Sequence, residues 1–178
     1  MSDYRRVWEG GGTYFFTVNL ERRGRNDLLT RHISLLRSVV SLVRLQHPFV
    51  IHAWVVLPEH MHCVIELPAG DARFSSRWRL IKAGFSRRLT VDEWRSGVRI
   101  KRGERGIWQR RYWEHLIRNE ADFRAHMDYV HINPVKHGFV KRVIDWPHST
   151  FHRLVAQGVY PADWAGGAAV DAMAYRDW

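Results

Sequence analysis

Two histidines separated by one residue form the pattern with the clearest chemistry in this sequence. His60 and His62 lie in the run PEHMHCVIEL, which predicts a β-strand. Side chains two residues apart on a strand point to the same face, so both imidazoles can reach one metal ion while Met61 and Cys63 point into the core. Neutral imidazole binds Mn²⁺, Zn²⁺ and similar ions, and two histidines leave positions for a third ligand and a substrate oxygen. The alternative is a pair of surface or packing histidines beside a turn.

A tyrosine and an asparagine supply complementary chemistry. Tyr129 and Asn133 lie four residues apart in a predicted helix and therefore share one face. A tyrosine hydroxyl is a weak nucleophile at its ordinary pKa and needs a metal ion or a base beside it. The Asn133 amide oxygen could complete the metal site, and His126, one turn before Tyr129, could act as a base or contact DNA. The alternative is that Tyr129 is a core aromatic residue.

The elements that must position these residues follow from hydrophobic spacing. Apolar, β-branched and aromatic runs predict strands over 13–20, 49–57, 60–67 and 106–117. Helical spacing predicts helices over 28–46 and 74–89, the second capped by Phe74-Ser75-Ser76. A third helix is predicted from its N-cap Asn119 to the pair Asn133-Pro134, and the charged stretch 91–105 is predicted to be a loop or a short excursion.

This order of elements predicts an α+β fold of the ferredoxin-like type. The first six elements form an antiparallel sheet of four to five strands with helices packed on one face, and the last helix is additional. We assign residues 1–146 to one domain and residues 147–178 to a C-terminal tail that packs on or near it.

The charge of the chain favours nucleic acid as its partner. Its 178 residues carry a formal net charge of +10 and include nine tryptophans. A basic surface concentrates polyanions, and flat rings and guanidinium groups stack on unpaired bases. One cysteine excludes an internal disulfide, and no apolar run is long enough to span a bilayer. We therefore expect a cytoplasmic, nucleoid-associated protein with no membrane partner.

Three ordered motifs resemble those of the REP-associated tyrosine transposases, which belong to the single-tyrosine HUH nucleases. The motifs are AWVVLPEHMHC at 53–63, FSSRWR at 74–79 and DYVHINPVKHG at 128–138. The similarity extends from residue 4 to residue 166, which is most of the chain. Three motifs in the order and spacing of the family are more specific than any one of them.

The resemblance implies the HUH fold, an antiparallel sheet flanked by helices, and a DNA-cutting activity. In the family a tyrosine attacks single-stranded DNA, forms a 5′-phosphotyrosine intermediate and frees a 3′-hydroxyl, with Mg²⁺ or Mn²⁺ as cofactor. On this chain the resemblance makes Tyr129 the nucleophile, His60 and His62 metal ligands, and Asn133 the polar helix residue. Some HUH relatives have the longer glutamine at that position. The implied substrate is a single-stranded DNA hairpin of a palindromic REP-type repeat, bound by a monomer or a dimer.

Basic residues predict where DNA binds, because phosphate contacts require cations. For any single residue the alternative is a solvated surface charge. The charged stretch 92–105 looks longer than in the family and resembles an insertion. As a group, the predicted DNA contacts are Arg5, Arg6, Arg22, Arg23, Arg77, Arg79, Lys82, Arg110, Arg111 and Lys136.

Two other functions fit part of the pattern. A non-catalytic nucleic-acid-binding module would use the same basic surface without cutting. A metal nuclease that activates water would cut DNA without a covalent protein–DNA link. A denaturation-resistant adduct on a labelled hairpin discriminates the tyrosine enzyme from both.

Overall fold

A four-stranded antiparallel sheet forms the centre of the molecule. The computed structural model describes residues 10–22, 24, 26–90, 97–103 and 105–167. The strands are β1 (Thr13–Asn19), β2 (Val50–Val56), β3 (His60–Glu66) and β4 (Trp113–Leu116). Their order across the sheet is β2-β3-β1-β4, which is that of a ferredoxin-like fold. The predicted α+β class is therefore confirmed.

Helices cover both faces of the sheet. In the described part of the chain, none of them combines the length and apolar composition that a bilayer-spanning helix requires. One face carries α2 and α3, and the other carries α5 and α6. The helices are α1 (Leu28–Arg31), α2 (Ile33–Gln46), α3 (Phe74–Arg88), α4 (Gly97–Lys101), α5 (Glu120–Lys136) and α6 (Phe151–Ala156), with a 3₁₀ turn at Val143–Asp145.

The alternation of side chains along β1 divides the core into two layers. Tyr14 and Phe16 pack beneath α2 and α3, where Phe16 contacts Trp78 of α3 with 5.3 Å between ring centroids. Phe15 points the other way and packs beneath α5 with Val130. Both faces of the sheet are buried, which explains why its strands are mostly apolar rather than alternately polar.

The starts of two predicted helices differ from the structure. The predicted helix over 28–46 is interrupted at His32, so that the short α1 precedes α2. The predicted cap of the second helix is wrong, because Ser75 lies inside α3 and the N-cap position is Arg73. A turn in which Asp71 Oδ1 accepts from the Arg73 amide at 2.7 Å leads the chain into α3 instead. The predicted cap of α5 is confirmed: Asn119 Oδ1 accepts from the Asp122 amide at 2.9 Å.

The fourth strand is shorter than the sequence predicts. Of the predicted strand over 106–117, only the four residues of β4 pair with β1, preceded by an isolated bridge between Leu20 and Trp108. Between them lie Arg110 and Arg111, both exposed, where the chain leaves the ladder. The predicted loop over 91–105 contains the short helix α4.

Helix α5 continues past the proline that was predicted to end it. Pro134 lies within the last turn, where its missing N–H removes only one helical hydrogen bond, and the helix runs on to Lys136. The residue after its C-cap is Gly138, which has a positive φ of 72°. The Gly138 amide donates to Val135 O and the Phe139 amide to Pro134 O, both at 2.9 Å. These two hydrogen bonds form a Schellman motif. The motif fixes the position of His137, the residue between the helix and Gly138.

The segment after α5 follows strand β2. The indole of Trp146 donates to Val56 O at 3.0 Å, and the Val56 amide donates to His148 O at 2.9 Å. The Thr150 amide donates to Trp54 O at 2.9 Å, and Thr150 Oγ1 accepts from the Trp54 amide at 2.8 Å. Residues 146–150 are therefore bonded to the sheet through both backbone and side chains.

Candidate active site

Three histidines meet on the face of the sheet that carries α5. His60 and His62 extend from β3, and His137 directly follows α5. One ring nitrogen of each lies within 4.8 Å of the other two. His60 and His62 are 2% and 1% exposed. Met61 and Cys63 point into the core beneath α2 and α3, as the strand parity predicts. Three converging imidazoles are a donor set that fits a divalent transition-metal ion.

The ring of His62 is held by a hydroxyl. Nδ1 of His62 lies 2.8 Å from Thr17 Oγ1 on the neighbouring strand β1. If Nδ1 carries the proton and donates it to Thr17, the lone pair of Nε2 is available to a metal. Burial, together with the nearby charges of His60, His137 and Lys136, holds the pKa of His62 well below its usual value. A neutral imidazole of fixed orientation is the form that binds a metal.

Asn133 presents its amide oxygen to the same cluster. Its Nδ2 donates to Tyr129 O at 2.8 Å, which assigns the other amide atom, Oδ1, as the free acceptor. Oδ1 is buried and accepts no hydrogen bond of normal geometry within the described part of the chain. The Asn133 side chain nevertheless lies near enough to His62 to raise its pKa, against the larger effect of burial. A buried acceptor beside His62 makes Asn133 a candidate for the fourth metal ligand.

The Tyr129 ring lies close to one histidine of the cluster and to a cation. Its centroid is 5.4 Å from that of His62 and 5.7 Å from that of Phe15. Nζ of Lys136 lies 4.8 Å from the Tyr129 centroid. Tyr129 is 2% exposed. It is thus packed in the core, as the alternative interpretation predicted, yet it also contacts the histidine cluster.

Two residues of this site were missed by the sequence analysis. His137 was missed because α5 was predicted to end at Asn133, although the spacing of four residues from Asn133 to His137 was a usable signal. Thr17 carried no signal, because its contact with His62 depends on the pairing of β1 with β3. Nothing in the sequence alone specifies that register.

The structure excludes the DNA contact predicted for His126, whereas its role as a base stays a prediction. His126 is 1% exposed, and its Nδ1 lies 2.7 Å from the backbone oxygen of Asp122. A side chain enclosed between α5 and the sheet cannot touch a DNA backbone.

The prediction that Arg77 contacts DNA is wrong. Its side chain is 3% exposed and is bonded within the protein. The guanidinium donates to His47 O at 3.2 Å, Pro48 O at 2.7 Å and Arg73 O at 3.3 Å, and pairs with Asp71 Oδ2 at 2.9 Å. Arg77 therefore joins α3 to the end of α2 and cannot reach a phosphate without unfolding.

The other predicted DNA contacts divide into two groups. Arg5, Arg6 and Arg23 lie outside the described residues. Those with accessible side chains keep their predicted role as a hypothesis: Arg22, Arg79, Arg110, Arg111 and Lys136 are exposed, and Lys82 is half-buried.

A basic cavity lies beside α3, on the face of the sheet opposite the histidines. It has a volume of about 660 Å³. Nζ of Lys82 donates to Gln109 O at 2.9 Å and lies 5.2 Å from the Tyr112 ring centroid. Burial lowers the pKa of Lys82 to about 8. Cations and aromatic rings line the cavity together: Trp78, Arg79, Lys82, Arg87, Arg105, Trp108, Arg110 and Tyr112.

Comparison with known proteins identifies the family. The chain is 55% identical over 166 residues to a REP-associated tyrosine transposase of Escherichia coli (strain K12), which covers 93% of this chain and 92% of the relative. The chain belongs to the REP-associated tyrosine transposases. A putative REP-associated tyrosine transposase of Haemophilus influenzae is 44% identical over 167 residues, covering 93% of this chain and 94% of that relative. No family model matches the chain.

A solved structure agrees with this family assignment. It shows a REP-associated tyrosine transposase bound to a REP hairpin, and it superposes with a TM-score of 0.80 at 55% sequence identity. The match covers 94% of this chain and 93% of the other. The predicted family and its HUH fold are therefore confirmed. This chain is a tyrosine transposase, an enzyme that transfers DNA strands.

Proposed function

We propose that this transposase cleaves and rejoins single-stranded DNA at REP-type palindromic hairpins, with Tyr129 as the nucleophile. The observation that carries the proposal is the contact of Tyr129 with the histidine cluster, 5.4 Å between the ring centroids of Tyr129 and His62. The hairpin bound by the related transposase supports the class of substrate.

The chemical step is a transesterification at phosphorus. The Tyr129 oxygen attacks the phosphorus, the bond from phosphorus to the 3′-oxygen breaks, and the phenol proton passes overall to that 3′-oxygen. The products are a 5′-phosphotyrosine link and a free 3′-hydroxyl. The Lys136 ammonium, 4.8 Å from the ring centroid, supplies a positive charge beside the attacking tyrosine, where it stabilises the negative charge that develops during the step. The covalent link allows another 3′-hydroxyl to reverse the step and join two strands.

His60, His62, His137 and Asn133 would hold the metal, which we assign to Mg²⁺ or Mn²⁺. A divalent ion supplies Lewis-acid polarisation of a phosphoryl oxygen when bound. Three imidazoles favour Mn²⁺ over Mg²⁺, because Mg²⁺ prefers oxygen ligands. Thr17 orients His62 within this donor set.

The DNA surface combines exposed arginines with the basic cavity beside α3. Arg79 and Arg110 line the cavity and reach solvent, where they neutralise phosphates. Trp108 and Tyr112 form the apolar floor of the cavity, where they pack against Phe85 and Trp78. Affinity for the hairpin is expected to fall steeply as salt rises, because each neutralised phosphate releases counterions.

The test is formation of a covalent adduct. The purified chain is incubated with Mg²⁺ or Mn²⁺ and a single-stranded REP-type hairpin that carries its label downstream of the cut. The products are then analysed under denaturing conditions. We expect an adduct with the unmodified chain and with Tyr160→Phe, and none with Tyr129→Phe. Tyr160 is a matched control because it loses a phenol hydroxyl near α5, where it donates to Asp128 Oδ1 at 2.7 Å.

The rival functions give different outcomes. Cutting without an adduct would identify a water-using nuclease. A mobility shift of the hairpin on a native gel, with neither cutting nor an adduct on the denaturing gel, would identify a non-catalytic module. An undiminished adduct with Tyr129→Phe would refute the assignment of the nucleophile.

A further inference from the structure

A second cluster of potential metal ligands lies between β4 and the start of α5. Nε2 of His115 is 2.9 Å from Oδ2 and 3.1 Å from Oδ1 of Asp122. Nδ1 of His126 is also 3.1 Å from Asp122 Oδ1. The two imidazole rings are stacked, with centroids 4.6 Å apart and 16° between their planes. One carboxylate is thus shared by two imidazoles from different elements.

We propose that His115, Asp122 and His126 form a binding site for a divalent transition-metal ion, separate from the active site. Two imidazoles and one carboxylate are a donor set suited to Zn²⁺, Ni²⁺ or Co²⁺. One ligand atom of each of the three lies within 4.8 Å of the other two. Around an ion with bonds of about 2.1 Å, adjacent ligand atoms at right angles stand about 3.0 Å apart. The distance of 2.9 Å from His115 Nε2 to Asp122 Oδ2 matches that spacing. The ligand atom of His126 is Nε2, because its Nδ1 donates to Asp122 O at 2.7 Å.

The ionisation of the buried groups suits this role. Burial lowers the pKa of His126 to about 4, so that its imidazole is neutral near pH 7. Burial opposes the charge of Asp122, but hydrogen bonds from His115 and Arg118 outweigh it and lower the pKa of that carboxyl to about 2. Arg118 pairs with Asp122 Oδ2 at 3.1 Å, yet its side chain is 71% exposed and can leave as an ion binds. Neutral imidazole and ionised carboxylate are the forms that ligate metals.

This site is linked to the active site through one aromatic residue. The Phe15 centroid lies 4.9 Å from that of His126 and 5.7 Å from that of His62. An ion at the second site would join β4 to the first turns of α5, the helix that carries Tyr129. It would therefore hold the N-terminal half of α5 against the sheet without itself reaching the reacting tyrosine.

The experiment counts bound ions by calorimetry with Ni²⁺ and Zn²⁺, using the full chain without an affinity tag. The double variant His60→Ala, His62→Ala removes the active-site donors. We expect two ions per unmodified chain, one per double variant, and none once His115→Ala is added. His52→Ala is the matched control, because His52 pairs with Glu66 at 2.8 Å but belongs to no cluster of three such groups in the described part of the chain.

Folding is followed separately. Far-ultraviolet circular dichroism must match among the variants, and Asp122→Asn serves as a second test because its amide oxygen can still accept from the Arg118 amide. A Co²⁺ absorption band that survives in the double variant and disappears with Asp122→Asn would support the site. A double variant that binds no ion, or one whose affinity is unchanged by His115→Ala, would overturn it. Neither outcome depends on DNA cleavage, so this proposal and the proposed function can fail independently.

Discussion

Replacing Arg77 with methionine tests whether this arginine is structural or binds DNA. In the structure its guanidinium lies 2.7 Å from Pro48 O and 2.9 Å from Asp71 Oδ2, and its side chain is 3% exposed. Methionine keeps an unbranched apolar stem but removes the charge and all of the hydrogen bonds. We therefore expect Arg77→Met to lower the free energy of unfolding and to leave hairpin affinity of the folded protein within about twofold.

The size of the loss follows from Asp71. The hydrogen bond from Arg77 is the largest of the effects that lower the pKa of Asp71 from 3.8 to about 2. The backbone and side chain of Arg73 add smaller effects, and burial acts in the opposite direction. A shift of that size corresponds to about 2 kcal/mol at neutral pH. Carbonyls left without a donor add to the cost, so we expect a total near 3 kcal/mol.

The pH dependence has a definite sign. The pKa of Asp71 is lower in the folded state than in the unfolded state. Its contribution to the free energy of unfolding is therefore fully present above pH 3.8 and is lost as pH falls towards 2. The stability difference between the unmodified chain and Arg77→Met should therefore narrow over that interval. Urea unfolding of both proteins, followed by tryptophan fluorescence at pH 7, 4 and 3, measures this difference in stability.

Arg79→Met is the matched control, because Arg79 lies on the same helix but is exposed. This substitution should change the free energy of unfolding by less than about 0.5 kcal/mol. If Arg79 binds phosphate, its loss should also weaken hairpin binding. An Arg77→Met variant that unfolds like the unmodified chain but binds the hairpin ten times more weakly would refute our account of Arg77.

Three further predictions concern the active site. Thr17→Val removes the hydroxyl that lies 2.8 Å from His62 Nδ1, so Mn²⁺ affinity should fall by about 10- to 100-fold in calorimetry; unchanged affinity would mean that Thr17 does not orient the imidazole. His137→Ala removes one of three converging imidazoles, so adduct formation should be lost at low Mn²⁺ and recover at high Mn²⁺; equal activity at every Mn²⁺ concentration would exclude His137 as a ligand. Lys136→Met removes the cation 4.8 Å from the Tyr129 ring centroid and should slow adduct formation by about tenfold, whereas a parallel loss of hairpin affinity would indicate a phosphate contact instead.

Periodicity was enough to predict the parts of the site that lie within one element. The spacing of two on β3 puts His60 and His62 on the same face, and the spacing of four on α5 puts Tyr129 and Asn133 together. The predicted order of strands and helices also matched the sheet. Each of these conclusions depends only on local backbone geometry, which residue types determine well.

Contacts between elements were not predictable in the same way. The sequence predicts Arg77 to be a surface cation of a basic helix. Its side chain is enclosed only because α3 packs against His47 and Pro48. His137 was hidden by a proline that the last turn of a helix tolerates. Thr17 acquired its role through the register of β1 on β3. In all three cases the deciding information is which surfaces pack together, and that is a property of the whole chain.

The bonding of residues 146–150 along β2 bears on how this chain associates with copies of itself. β2 is an outer strand of the sheet, and the unpaired backbone groups of an outer strand are a template for pairing with another molecule. Here the amide of Val56 and both backbone groups of Trp54 are already bonded to that segment. Growth of the sheet from one molecule into the next is therefore blocked on this side. A chain shortened to the predicted domain of residues 1–146 would lose most of this protection, and we expect it to self-associate through β2.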